Sequence, residues 1–412
     1  MSITASYQPN DYANLSKLVK DKKYAKEKFI TVKKMDHLFI LKYVKNKLTT
    51  ENMDSLGLFR SIIVDEEGNI LSFAPPKSIN FDIFSQTNEY DKCYIQHFPE
   101  GTMINVFFDK QTDDWEISTR SSIGAKCNFN MDSNFTYRYM FLDAMNHTGL
   151  EFHHLDKTAC YSFVLQHPKN RIVVPITQPG IILTNKYKIE NNLIYNNNNI
   201  TSTHFTTLSM HSITDESFFP KSFNYTGNSW KDMIDHFFSS NLPYQLQGIV
   251  LYNNKGQRTK IRNKNYEEVK HLRGNSPKLQ YQYYNLRQQD AVRNFLKYYP
   301  EHKQEFSDFR RDLHKYTAQL YQNYINCFIK KQKSLKEFPY QFKTHMFKLQ
   351  ELYINDLKLD GKFVNKKVVI DYINTLPPPR LMHSINYIKK QFDKDQKIIT
   401  SDLKVIMKSE IQ

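Results

Sequence analysis

A change in the period of the apolar residues near Lys278 constrains this chain more than any other feature of its sequence. Before it, β-branched and aromatic residues come in short runs parted by turns: KFITVKKMDHLFILKYV, FRSIIVDEEGNILSFAPP, CYIQHFPEGTMINVFFDKQTDDWEISTRSS, ACYSFVLQHPKNRIVVPI, IILTNKYKIENNLIYN and QGIVLYNNKGQRTKIRN. Such runs read as strands. DEEGN and NNKGQ read as hairpin turns, because Gly and Asn accept a positive φ. Helices are expected near 131–150 and 229–240, with a short basic one from Leu15 to Phe29. After Lys278, Phe306, Phe309, Leu313, Tyr316, Leu320, Tyr324 and Phe328 recur at spacings of three and four, the stripe of a long amphipathic helix. Two more helices are expected in FKTHMFKLQELYINDLK and KKVVIDYINTL, before a break at Pro377, Pro378 and Pro379. The fold class is therefore α+β followed by all-α, with a helical segment over 1–35, a strand-rich domain over 36–275 and a basic helical domain over 276–412.

The formal net charge of +15, with Lys and Arg spread along the whole chain, fits a polyanionic partner such as nucleic acid. The aromatic stripe of the helical domain is expected to be core. The basic residues opposite it, Arg310, Arg311, Lys330, Lys331 and Lys333, are the better phosphate contacts. Cys93, Cys127, Cys160 and Cys327 lie far apart without a C-x-x-C pair, which argues against a disulfide framework or a cysteine zinc site and fits a reducing cytoplasm. His153 and His154 have no partner at metal-ligand spacing, so no metal site is expected there. Neither a secretory leader nor a run long and apolar enough to span a bilayer is apparent, so no membrane association is expected. The low-complexity patch NNLIYNNNN, at 191–199, reads as a loop.

Four segments, in order across roughly residues 36 to 270, resemble those of the phage-type RNA ligase family, the bacteriophage T4 RNA ligase 1-like branch of the covalent nucleotidyltransferases. FRSIIVDEEGNILSFAPPKSIN is similar to R-G-I-I-[hydrophobic]-D with a P-K-F-F-N ending. FPEGTMINVFFDKQTDDWEISTRSSIG is similar to K-x-D-G-S-L followed by a hairpin. YSFVLQHPKNRIVV is similar to F-x-F-E-L-V-x-P-x-N-R-I-V, and LQGIVLYNNKGQRTKIRN to V-E-G-[hydrophobic]-V with a hairpin to K-x-K. The E-G-T-M-I variant also resembles ligase-like sequences of large DNA viruses, which implies host cytoplasm or a viral factory as the location. The resemblance implies an RNA ligase-type nucleotidyltransferase domain, with RNA as partner and with ATP and Mg²⁺ as cofactors if it is active. A neutral lysine amine would attack the α-phosphate, carboxylates would hold metal or ribose, and paired cations would neutralise the phosphate.

Carried over residue by residue, the resemblance assigns nucleotide or phosphate binding to Arg60, Glu100, Arg120, Asn170, Arg171, Gln247, Lys260 and Arg262. Lys260 and Arg262 share one face of a strand. Three positions depart from the pattern: Phe98 stands at the nucleophile, Val164 at the third segment's glutamate and Gln247 at the fourth's. A phenyl ring has no lone pair with which to attack phosphorus. His97, through a bulge at Pro99, or else Lys42 or Lys77, are the candidates for a displaced nucleophile. His167 is able to titrate near neutrality, but in the commoner case it is a packed polar residue. Two functions follow: a protein that binds RNA or nucleotide without standard lysine-adenylate ligation, or a divergent ligase or nucleotidyltransferase that uses a displaced nucleophile or pre-adenylated RNA.

Overall fold

The computed structural model describes residues 5–129, 134–196, 229–239, 241–389 and 391. The chain divides into two compact units, Met1–His271 and Leu272–Gln412. In chain order the first holds β1 (Ala5–Tyr7), α1 (Leu15–Lys20), α2 (Lys22–Glu27), β2 (Ile30–Met35), β3 (Leu38–Tyr43), β4 (Ile62–Val64), β5 (Ile70–Phe73), α3 (Phe81–Thr87) and β6 (Tyr94–His97). There follow β7 (Thr102–Asp109), β8 (Asp114–Ser118), α4 (Tyr137–Thr148), β9 (Ala159–Gln166), β10 (Gly180–Glu190), β11 (Leu193–Asn196), α5 (Trp230–Phe238), β12 (Gly248–Tyr252), β13 (Arg258–Arg262) and α6 (Lys264–Arg273), whose last two residues enter the second unit.

Three antiparallel sheets result, ordered β1-β11-β10-β9-β7-β8, β2-β3-β4-β5 and β13-β12-β6. One face of the six-stranded sheet buries Ile104, Tyr161, Phe163 and Leu165 against Phe141, Ala144 and Met145 of α4. Burial of each such large side chain is worth about 1.5–3 kcal/mol, which fixes the register of β7 and β9 and so the face on which Val164 lies. The four-stranded meander packs Ile40, Ile62 and Ile63 with Leu15 and Leu18 of α1. In the three-stranded sheet, Ile249, Leu251 and Ile261 pack on Phe84 of α3 and on Met233 and Phe237 of α5.

Several expectations need correction. The basic helix from Leu15 is two helices, because Asp21 is extended (φ −119°, ψ 101°) and its carboxylate caps the N–H groups of Lys23 and Tyr24 at the start of α2. The asparagine-rich patch is not wholly loop: Asn191 and Asn192 turn at φ 51° and 64°, and Leu193–Asn196 is a strand between β10 and β1. Positions 197–199 lie outside the described residues, as do 130–133 and 240 at the edges of the expected helices. Ile172, Val173 and Val174, expected in a strand, are in a loop.

The second unit holds α7 (Leu279–Gln288), α8 (Val292–Tyr298), α9 (Lys303–Tyr324), α10 (Tyr340–Leu352), α11 (Lys366–Thr375) and α12 (Pro378–Ile385). Phe306, Leu313, Tyr316, Leu320 and Tyr324 of the α9 stripe are buried, while Arg310, Arg311, Lys330, Lys331 and Lys333 are exposed. The triple proline ends one helix and starts another, since Pro378 is tolerated in the first turn where an N–H has no helical acceptor. Among the described residues no helix is long and apolar enough to cross a membrane.

Candidate functional site

The three-stranded sheet presents the site. Val250 pairs with Gln96 on one side and Lys260 on the other, and Gly248 pairs with Arg262. The Phe98 N–H donates to the Gly248 carbonyl at 3.0 Å, so the ladder runs one residue past β6. Alternation then places Tyr94, Gln96 and Phe98 on the same face as Arg258, Lys260 and Arg262, a face that also carries Val250 and Tyr252. His97 has the opposite parity, with Ile95 and Ile249, and no bulge interrupts its strand. It therefore does not share the face of Lys260.

Gly248 and Gly101 sit at φ 141° and 152°, and a Cβ at either would overlap backbone: the carbonyl of Ile261 at the first, that of Leu165 at the second. These two glycines of the motif-like segments are required by close approach of neighbouring strands.

Lys260 is half-buried, and its Nζ stands 4.2 Å from the centroid of the Phe98 ring. Burial first, then the charges of Arg258, Arg60, Arg262 and Lys77, bring its pKa down from 10.5 to about 6. The amine is thus largely neutral at pH 7. Arg60, two residues before β4, donates to the Pro75 carbonyl at 3.4 Å; burial and then Arg258 lower it to about 10, and it stays charged. Arg258 donates to the carbonyls of Pro75 and Pro76. Lys77 donates to the Ser78 carbonyl and is lowered by burial, then by Arg60, Arg258, Arg262 and Arg120. Among the described residues, Arg60, Lys77, Arg258 and Lys260 make no ion pair; Arg262 meets Glu267 at 3.4 Å, exposed to solvent. A cavity of about 180 Å³ opens beside this cluster, with Tyr7, Pro76, Lys77 and Arg258 in its wall.

The remaining sequence-derived candidates divide by position. Arg120 donates to the Arg60 carbonyl at 3.3 Å and lies 5.2 Å from the Tyr43 ring. Lys42 donates to the Ser121 hydroxyl at 2.9 Å, its pKa lowered by burial, then by Arg120 and Lys33. Asn170 donates to the Thr102 hydroxyl, and Arg171 to the Val173 carbonyl, so that pair pins the turn after β9. Glu100 is buried, and its Oε1 accepts from the N–H groups of Val173 and Val174 at 3.1 and 3.0 Å. Those are N–H groups that a strand at 172–174 would have given to a ladder. Glu100 Oε2 and Gln247 Oε1 are buried with no hydrogen-bond partner among the described residues. Val164 is buried beside Gly101. His167 accepts from the Lys169 N–H through Nδ1 and meets Asp143 through Nε2 at 3.0 Å, which sets the proton on Nε2. The rings of His153 and His154 lie 4.0 Å apart at a tilt of 54°, with Glu151 beside them.

Arg258 was not singled out from the sequence. The signal was present, since R-T-K-I-R alternates three cations on one strand face. Among the described residues no three His, Cys, Asp or Glu side chains converge to hold a metal ion. The described residues do not fit the carboxylate-held Mg²⁺ that the motif resemblance implies.

No family model matches the chain. A 94-residue stretch is 32% identical to an RNA ligase of Rhodothermus phage RM378, covering 20% of this chain and 20% of that protein. Among solved structures, a putative ATP-dependent DNA ligase from Aquifex aeolicus aligns over 90% of this chain and 79% of its own at 11% identity, with a TM-score of 0.36. An archaeal ATP-dependent RNA ligase aligns over 89% and 76% at 10% identity, with a TM-score of 0.35.

Proposed function

We propose that this protein binds the phosphates of a nucleotide or of an RNA end at the cationic cluster of its first unit, and that position 98 takes no nucleotidyl group. The observation that carries this reading is the convergence of Arg60, Lys77, Arg258 and Lys260 without an ion-pair partner among the described residues. Cations gathered in a partly buried place repel one another and depress one another's pKa values, and a polyanion supplies the missing charge. The short match to a phage RNA ligase and the four motif-like segments favour an RNA or nucleotide ligand. Phe98 leaves lysine-adenylate ligation in its usual form without a nucleophile.

Equilibrium titration of ATP and of 5′-phosphorylated single-stranded RNA at several salt concentrations tests the proposal. Affinity falls as salt rises, and Arg60→Ala or Lys77→Ala weakens it by about tenfold, the value of one charged hydrogen bond. Lys92→Ala does little, because Lys92 is exposed and paired with Glu89. Salt-independent affinity, or full affinity in both cluster variants, overturns the reading.

A further inference from the structure

We propose that Lys260 replaces the lysine missing from position 98 and accepts the nucleotidyl group itself. This rests on reading the cationic cluster as a nucleotide site. The pairing Gln96, Val250, Lys260 sets Lys260 two strands away from β6, yet its side chain reaches back until Nζ stands 4.2 Å over the Phe98 ring. A side chain at position 98 projects from the sheet into the space that this amine fills. The ring that cannot react forms a floor for the group that can, and keeps water from one side of it.

The other candidates are placed less well for this role. His97 lies on the opposite parity of β6, Lys42 is held by the Ser121 hydroxyl, and Lys77 is held by the Ser78 carbonyl. Lys260 has no hydrogen-bond partner among the described residues, so its lone pair is not directed elsewhere. The charged groups that act on it are Arg258 and Arg262 of its own strand, Arg60 before β4 and Lys77 after β5. The phenols of Tyr7, Tyr94 and Tyr252 belong to the apolar cluster around Phe98. No carboxylate is among them. An amine in such company sheds its proton without a general base, while the arginines stay charged and are left to hold phosphate.

In the step itself the Lys260 nitrogen forms a bond to the α-phosphorus of a nucleoside triphosphate. The bond from that phosphorus to the oxygen bridging to the β-phosphorus breaks, and its electron pair leaves with pyrophosphate. The nitrogen's extra proton passes to water, and the product is a phosphoramidate.

Intact-mass measurement of the full chain after incubation with ATP or GTP across neutral to alkaline pH, with peptide mapping, tests the proposal; ATP affinity is measured on the same preparation. A gain of one nucleotidyl group, the mass of a nucleoside monophosphate less water, labile to acid, mapped to Lys260 and reduced by about a hundredfold or more in Lys260→Arg, is expected. In trace labelling at neutral pH, an amine-directed reagent marks Lys260 about tenfold faster than exposed lysines, and ATP suppresses that labelling. An adduct on another residue overturns the assignment. ATP bound without any adduct overturns the nucleophile and leaves the binding reading standing, whereas absence of both binding and adduct removes the two together. Lys260 labelled no faster than exposed lysines also counts against the proposal, and that measurement needs no variant to fold.

Discussion

The Arg258 guanidinium donates to the Pro76 carbonyl oxygen twice, from Nη2 at 2.8 Å and from Nε at 3.1 Å. A third bond, at 3.3 Å, reaches the Pro75 carbonyl, which also accepts from Arg60. Proline lacks an N–H but keeps a full acceptor, and the Pro75–Pro76 stretch offers two carbonyls to the buried cations. These bonds place Arg258 where its charge bears on Lys260.

Arg258→Met removes three charge-assisted bonds and leaves the Pro76 carbonyl without its donor, while the Pro75 carbonyl keeps Arg60. A loss of about 2–3 kcal/mol is expected, a fall in Tm of about 5–10 °C for a unit of this size. The same change removes the largest cationic influence on Lys260 and raises the pKa of its amine. Differential scanning calorimetry reads the first effect, and the pH dependence of trace amine labelling reads the second. An unchanged Tm would mean that the Pro76 carbonyl finds another donor.

Glu100 is expected to act through the loop it holds. Glu100→Ala strands the N–H groups of Val173 and Val174 and costs about 2–4 kcal/mol, while Glu100→Gln keeps an acceptor and costs about 1 kcal/mol. Urea unfolding monitored by Trp fluorescence gives both values. If Glu100→Gln left stability untouched and abolished nucleotide binding, the carboxylate would be a ligand contact instead.

The α+β then all-α character was legible because apolar pattern is local: a stripe of threes and fours on α9 and short β-branched and aromatic runs at β7, β9 and β12 need only neighbouring residues to be read. The edge strand β1 and the helices α6 and α7 were missed. Their stability comes from tertiary contacts, as where Tyr7 packs on Phe73 and Tyr187, far away in sequence. The site was legible in the same uneven way. Alternation predicts that Lys260 and Arg262 share a face, but the meeting of Lys260 with Phe98 depends on the register of three strands more than 150 residues apart at their extremes. Likewise nothing local marks Val173 and Val174 as donors to Glu100. They have strand propensity, and a carboxylate 73 residues earlier takes their N–H groups in place of a neighbouring strand.

Lys260 also makes stability depend on pH in a defined sense. Its folded pKa, about 6, lies below the ordinary value of 10.5. Below about pH 6 both folded and unfolded chains carry the proton, and the folded state bears the full cost of a charge among cations. Between the two values the unfolded chain binds a proton that the folded one lacks, so stability rises with pH, and above the upper value the cost is gone. Lys260→Met removes it. The variant is therefore more stable than the parent, most of all near pH 5, with the difference shrinking toward pH 9 and beyond. Because solvent reaches the half-buried amine, the gain is discounted to about 1–2 kcal/mol at its largest, or a few degrees in Tm. Thermal unfolding of both proteins across that range is the measurement. A difference in Tm that stays constant with pH would show that the amine keeps its ordinary pKa, and would remove the neutral lone pair that nucleophilic attack requires.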